Sequence, residues 1–227
     1  MILALIPARK NSKSVSNKNM KFLAGKPLIH YAITQAKKSK KIDKIVVSSD
    51  DKKILEFSKK EHVEIINRPK HLGLDSTSTE KVVIHAINTL EKKGECVDTV
   101  IILQPTSPLR NHKDIDGAIR KFQKNKCELL ASVKISDVSP YWMYNMKKNV
   151  LTSIIKKGDE ISRRQNLPKS YLLNGAIFVF KRDTVMEKRK IFGGKTIGYV
   201  MPEKRSIDID SLKDFELAEI LMKNGND

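Results

Sequence analysis

Two carboxylates two residues apart, Asp208 and Asp210 in "SIDID" (206–210), have the spacing of a magnesium site. In an extended segment residues i and i+2 project to the same face, so Ile209 turns into the core while the two acids stand together. Unpaired they repel, and a divalent cation between them removes that cost. Magnesium takes one or two protein carboxylates and fills its octahedron with waters and phosphate oxygens. Asp210 has a competing use as the N-cap of a helical pattern that starts at 211. Cations suited to phosphate stand near the other end of the sequence. The loop "PARKNSKSVSNKN" (7–19) holds Arg9, Lys10, Lys13 and Lys18 with no acid between them. Phosphate loops usually rely on glycine, which lets backbone N–H groups approach the oxygens, yet here the first glycine is Gly25. Side-chain charge and hydroxyls are therefore expected to grip the anion.

Further loops add complementary groups: "SSDD" (48–51), "NRPKHLGLDSTST" (67–79) with Arg68 and a hydroxyl cluster, and "QPTSPLR" (104–110) with Gln104 and Arg110. Together they point to an anionic nucleotide and a metal. A fixed arginine reads the acceptors of a base well, and Arg68 beside "DSTST" is the candidate. Other chemistries find no support. The five histidines are scattered without H-E-x-x-H or paired spacing, and neither G-x-S-x-G nor a Walker A pattern occurs. Cys96 and Cys127 lie far apart and outside any C-x-x-C pattern, which suits a reducing cytoplasm.

These loops need a scaffold that brings them to one edge, and the apolar pattern supplies it. "ILALI" (2–6), "KIVVS" (44–48), "VEIIN" (63–67), "DTVIIL" (98–103) and "LLASV" (129–133) are short, nearly continuous and rich in Ile, Val and Leu, as strands buried on both faces are. Amphipathic stretches at 27–38, 51–61, 79–93 and 112–125 lie between them, with Asp50 and Ser49 as candidate caps of the second. Alternation of this kind predicts βαβ units and an α/β fold on a parallel sheet, in which ligands bind beyond the carboxyl ends of the strands. Near residue 135 the rhythm breaks, and 135–172 is expected to be an insertion. "YLLNGAIFVF" (171–180) and "TIGYVM" (196–201) return to the sheet, and a last helix follows from about 211 to 223. "NG" at 174–175 is also a type I′ hairpin signal.

The chain has 227 residues, 40% hydrophobic and 31% charged, with 44 basic against 26 acidic residues and a formal charge of +18. That is an ordinary globular composition for a single domain, with a field that recruits anions. The apolar start "MILALI" is cut off by Pro7 and has no basic leading region or small-residue cleavage site, so a strand is expected and not a signal peptide. No membrane partner is expected. Many lysines sit where helical patterns end, and only 6% of residues are aromatic. A basic nucleic-acid-binding protein is thus the weaker alternative, and it predicts affinity that collapses with salt.

"IPARKNSKSVSNKN", "NRPKHLGLDSTST", "LQPTSPLR", "SRRQNLP", "NGAIF" and "SIDIDSLKDFELAE", in this order over almost the whole chain, together resemble the CMP-sialic acid synthetases (CMP-N-acylneuraminate cytidylyltransferases). The resemblance implies a three-layer αβα nucleotidyltransferase with a mostly parallel, Rossmann-like sheet, a homodimer, and Mg2+ as cofactor. It implies a reaction in which the anomeric hydroxyl of a sialic-type nine-carbon acid, N-acetylneuraminate first among them, attacks the α-phosphate of CTP. Legionaminic, pseudaminic or keto-deoxy-octulosonic acid are alternative acceptors. By motif, Arg9, Asn11, Ser12, Lys13, Lys18 and Asn19 would hold triphosphate and ribose, while Arg68 with Ser76, Thr77, Ser78 and Thr79 would lie near cytosine. Gln104, Arg163, Arg164, Gln165 and Asn174 would face the sugar acid, Phe192 would line its acyl pocket, and Asp208 and Asp210 would bind the metal. The catalytic set so implied is Arg9, Lys13, Lys18, Gln104, Asp208 and Asp210. The 135–172 insertion would be a dimerisation lobe that can deliver Arg164 to the neighbouring subunit. The family's first loop typically reads A-R-G-G-S-K-G, whereas Lys10, Asn11 and Ser14 stand at its glycine places here; Asn tolerates the left-handed conformation better than most residues.

Overall fold

The expected alternation of apolar runs and amphipathic stretches is realised in a computed structural model, which describes residues 1–10, 15–156 and 163–225. In chain order the strands and helices are β1 (Ile2–Pro7), β2 (Phe22–Leu23), β3 (Lys26–Pro27), α1 (Leu28–Lys38), β4 (Lys44–Ser49), α2 (Lys52–Lys60), β5 (Glu64–Asn67), α3 (Thr79–Glu91), β6 (Thr99–Leu103), α4 (His112–Lys124), β7 (Leu129–Ile135), β8 (Tyr144–Lys147), β9 (Val150–Ser153), β10 (Tyr171–Lys181), α5 (Arg182–Lys188), β11 (Thr196–Val200) and α6 (Leu212–Lys223). A seven-stranded sheet has the order β11-β7-β10-β6-β1-β4-β5. All its pairings are parallel except those of β10 with β6 and β7.

Side chains alternate across the sheet and explain why the strands read as unbroken apolar runs. From β1, Ala4 and Ile6 pack with Ile29 and Ile33 of α1 and Ile115 and Ile119 of α4. Leu3 and Leu5 point the other way, onto Val83, Ile87 and Leu90 of α3. Three layers result, both faces of the sheet being covered. A third cluster joins Val15 and Leu23 to Ile209, Phe215 and Ala218. That cluster clamps the first loop against the 206–210 run. Helix starts follow their local chemistry: Asp51 caps α2, and capping boxes Asn111/Asp114 and Ser211/Asp214 open α4 and α6.

Three expectations are corrected. The cap of α2 is neither Ser49 nor Asp50 but Asp51, whose carboxylate accepts from Lys53 N at 2.8 Å. "NG" at 174–175 does not turn a hairpin but lies within β10, where the pairing with β7 shifts register between Leu173 and Phe178. A type I′ turn needs left-handed backbone at both central residues, and only Gly175 (φ 70°) has it. The pair that does satisfy this rule is Lys148 and Asn149 (φ 48° and 65°), between the paired strands β8 and β9. Asp210 is not the N-cap of α6. Ser211 takes that place, and the Asp210 backbone N–H donates to Asp214 Oδ2 at 3.0 Å. No helix among the described residues is long and apolar enough to cross a membrane.

Candidate functional site

The loops after β1, β5 and β6 surround a cavity of about 340 Å³ at the carboxyl edge of the sheet, lined by Arg9, Lys18, Asn19, Arg68, Thr77, Thr79 and Gln104, with Asp75 and Thr106 beside them. Parallel strands put their following loops on one edge, which gathers groups from distant parts of the chain. Arg9 pairs with Asp75 across the cavity mouth. Asn19 Nδ2 donates to the Arg9 carbonyl at 2.9 Å and so fixes the base of the first loop. Lys18 is buried, and its ammonium donates to Ile209 O at 2.6 Å and Asp210 Oδ1 at 3.1 Å. The cationic loop and the paired carboxylates, almost two hundred residues apart, are thereby locked together.

Arg68 is 5% exposed and faces the cavity from the end of β5. Its Nη2 lies 3.7 Å from Asp50, and its Nε has no hydrogen-bond partner among the described residues. Burial lowers its pKa, Asp50 opposes that shift and Arg9 adds to it. Asp50 also accepts from the Lys10 backbone N–H at 3.0 Å. Gly73 gives it room, since a Cβ there would stand 2.3 Å from Asp50 Oδ2. A buried guanidinium with a spare donor, held by a carboxylate, is a reader of acceptors on a bound group.

Asp208 is half-buried beside Thr106 and Gln104, just outside the cavity's lining. Ile209 beyond it is fully buried, as the i, i+2 spacing requires. Its Oδ1 has no hydrogen-bond partner among the described residues. Burial raises the Asp208 pKa and Asp210 pushes it further, while Thr106 and Lys18 oppose the shift. The neighbour that permits this placement is Gly175, where a Cβ would sit 2.9 Å from Asp208 Oδ2 and 3.2 Å from Gln104 Oε1. Thr106 contributes a weak 3.4 Å bond to Gln104 Oε1, and its carbonyl accepts from Ile209 N at 2.8 Å. Arg110, fully buried, reaches under the floor and donates to Gln104 O (3.1 Å) and Ala176 O (2.8 Å); burial pushes its pKa down to about 10. Two carboxylates two residues apart, beside a cleft rimmed by cations, are the kind of donor set a hard divalent ion takes. No group of three or more His, Cys, Asp or Glu side chains that could hold a metal ion is found among the described residues.

The structure thus brings together Arg9, Lys18, Asn19, Arg68, Thr77, Thr79 and Gln104 around the cavity, while Asp208, near Gln104, and Asp210, paired with Lys18, lie outside its lining. Ser76 and Ser78 are exposed and lie outside the lining. Asn11, Ser12, Lys13 and Ser14 lie outside the described residues. Phe192 stands apart from the cavity, half exposed, edge-on to Phe178 with ring centroids 5.8 Å apart. Arg163, Arg164 and Gln165 are exposed; Arg164 lines a separate pocket with Val138, Trp142 and Leu167 and does not reach its own chain's cavity. Asn174 is buried, its carboxamide committed to Ser132 and Ser206. Sequence reasoning missed Asp75 as the partner of Arg9, although it stands in the quoted "DSTST". It also missed Thr106 and Gly175 as neighbours of Asp208, the second read as part of a turn.

Comparisons with known proteins place the chain in a family. Residues 3–222 match the model of the cytidylyltransferase family. The chain is 34% identical to the CMP-N,N'-diacetyllegionaminic acid synthase of Campylobacter jejuni, over 99% of this chain and 96% of that protein. It is 30% identical to an N-acylneuraminate cytidylyltransferase of Escherichia coli over 99% of this chain, which spans about half (53%) of that protein. Among solved structures, a CMP:2-keto-3-deoxy-manno-octonic acid synthetase in complex with CTP superposes with a TM-score of 0.72 at 15% identity, covering 98% of each chain.

Proposed function

This chain belongs to the cytidylyltransferase family, and from that premise we propose that it transfers CMP from CTP to the anomeric hydroxyl of a nine-carbon α-keto sugar acid. A diacylated acid of the legionaminic type is the best-supported acceptor, since the relative named for one matches at higher identity, and over nearly its full length, than the one named for N-acylneuraminate. In the reaction the anomeric oxygen bonds to the α-phosphorus. The bond from that phosphorus to the oxygen bridging to the β-phosphate breaks, and pyrophosphate and a proton are released. The observation that carries the reading is the cavity at the carboxyl edge of the sheet in which Arg9, Lys18, Arg68 and Gln104 converge, with the carboxylate of Asp208 just outside its lining, beside Thr106 and Gln104.

Phosphoryl-type transfer depends on positioning and charge neutralisation more than on covalent help from the protein, and the residues divide that work. Arg9 exchanges Asp75 for triphosphate oxygens, and Lys13 in the same loop adds a second cation. Lys18 keeps the acids of the 206–210 run in place. Arg68, with Thr77 and Thr79, takes the acceptors of cytosine, and Gln104 faces the acid. Asp208 and Asp210 are the residues that would hold Mg2+, which when bound neutralises phosphate charge. The reading extends to a cytoplasmic homodimer. Tyr144, Met146, Val150 and Leu151 are exposed on the β8–β9 ribbon, and two strands alone do not hold together in water. Packing of 135–172 against a second copy covers them and carries Arg164, whose guanidinium fork suits a carboxylate, toward the other subunit's cleft. Pyrophosphate release from CTP tests the proposal, with diacetyllegionaminic, pseudaminic, N-acetylneuraminic and keto-deoxy-octulosonic acids as acceptors. Release that requires both CTP and a nine-carbon acid, fastest with the legionaminic type, is expected. Absence of release with every acid, or equal rates with ATP and GTP, would overturn it.

A further inference from the structure

A chain of buried hydroxyls and one carboxamide runs beneath the cleft floor, where β10 breaks register. Asn174 Oδ1 accepts from Ser132 Oγ at 2.6 Å and from Ala176 N at 3.3 Å. Its Nδ2 donates to Ser206 Oγ at 2.9 Å, with Met201 Sδ at 3.5 Å. Ser132 Oγ accepts in turn from Ile177 N at 2.7 Å, and Ser206 Oγ donates to Pro202 O at 2.8 Å. All three side chains are buried, at 3% exposure or less. The carboxamide is saturated, with no donor or acceptor left over for a ligand.

The two ends of this chain grip the two segments whose spacing sets the site. One end is the β10 bulge, which carries Gly175 against Asp208 and Gln104. The other is Ser206, two residues ahead of Asp208 and at the head of the run that Ile209 N anchors to Thr106 O. A neutral network in a low-dielectric interior transmits geometry without adding charge, and removing one partner leaves a buried group unsatisfied. We propose that Asn174 is a positioning residue. It does not touch the sugar acid; through Ser206 it fixes the 206–210 run so that Asp208 keeps its place against Gly175 and near Gln104. This rests on the reading of Asp208 as the metal-holding group of a cytidylyltransferase.

Ser206→Ala, Ser206→Thr and Asn174→Ala separate positioning from substrate contact. Ser206→Ala deletes the acceptor for Nδ2 and touches nothing in the cleft, whereas Ser206→Thr keeps a hydroxyl there. Two readouts are needed: the half-saturating Mg2+ and KM values in pyrophosphate release, and hydrogen–deuterium exchange of the Ile209 amide in the protein without nucleotide or metal. Outer partners of metal-holding side chains typically cost about tenfold or more in metal affinity or activity when removed. Ser206→Ala is accordingly expected to raise half-saturating Mg2+ about tenfold and speed Ile209 exchange, with KM for the acid unchanged, and Ser206→Thr to restore both. The proposal is overturned if Asn174→Ala raises KM for the acid alone while Ser206→Ala is silent. It is equally overturned if exchange quickens but Mg2+ dependence stays put, which marks a purely structural network. If the wild type fails with every acid, the function reading falls and exchange alone decides: an unmoved Ile209 amide in Ser206→Ala then rejects positioning, and a faster one that Ser206→Thr restores supports it.

Discussion

Gly175→Ala tests the packing of the site at one carbon. Two costs follow from the structure. Gly175 has φ 70°, a left-handed conformation that costs an L-residue about 1–2 kcal/mol. The new methyl would also lie 2.9 Å from Asp208 Oδ2, about half an ångström inside ordinary contact, and 3.2 Å from Gln104 Oε1. Asp208 cannot retreat easily, because Ile209 behind it is fully buried and anchored to Thr106. Misplacement by about 1 Å can cost on the order of a hundredfold in rate, so half of that predicts a loss near tenfold. For a chain of this length, about 1–2 kcal/mol lowers Tm by roughly 2–8 °C. Gly94→Ala is the control. It has the same left-handed geometry (φ 84°) with nothing within 4 Å of the added carbon, so it should lose stability and keep its rate. Calorimetry and pyrophosphate release read the two effects. Wild-type turnover in Gly175→Ala, or an equal loss of rate in Gly94→Ala, would refute the reasoning.

Asp208→Asn is expected to stabilise the free protein while disabling it. Burial raises the Asp208 pKa, so its contribution to stability is most favourable at low pH and falls as pH rises through the raised value. The substitution should therefore raise Tm at neutral pH and flatten its pH dependence just above the usual carboxylate range, while cutting kcat by about two orders of magnitude; a lower Tm would contradict it. Arg68→Gln should erase preference for CTP over other nucleoside triphosphates, a loss of about 1–3 kcal/mol in discrimination, read from kcat/KM for each nucleotide. Ser211→Ala should cost about 1 kcal/mol of stability through the α6 cap. Asp210→Asn should leave Tm nearly unchanged and weaken Mg2+ dependence, the reverse pattern.

The parallel strands and their helices were legible because both rest on local periodicity: "ILALI" and "TVIIL" need no tertiary information to be read as strands buried on both faces. The direction of β10 was not, since an apolar run reads the same either way and its antiparallel place is decided by what it packs between. "NG" promised a turn, but a left-handed glycine serves a bulge equally well, and the buried Asn is paid back by hydroxyls on β7 and ahead of Asp208 that no sequence window contains. The same distance effect hid Asp75, which pairs with Arg9 across the cavity. The true cap of α6 was one residue away. Ser211-x-x-Asp214 is a capping box with Asp in place of the usual Glu or Gln, so Asp210 took the role on paper. Arg9, Lys18 and Arg68 could be picked out because charge at the end of a buried strand has few structural uses, and all three line the cavity.

The phosphorus resonances of CTP incubated with enzyme, Mg2+ and a nine-carbon α-keto acid test the central claim most directly. The account predicts that the three CTP signals decline together while one phosphodiester signal, CMP joined to the anomeric oxygen, and the pyrophosphate signal grow in equal amounts. Formation of CDP with inorganic phosphate, or of a sugar diphosphate without pyrophosphate, would contradict attack at the α-phosphorus.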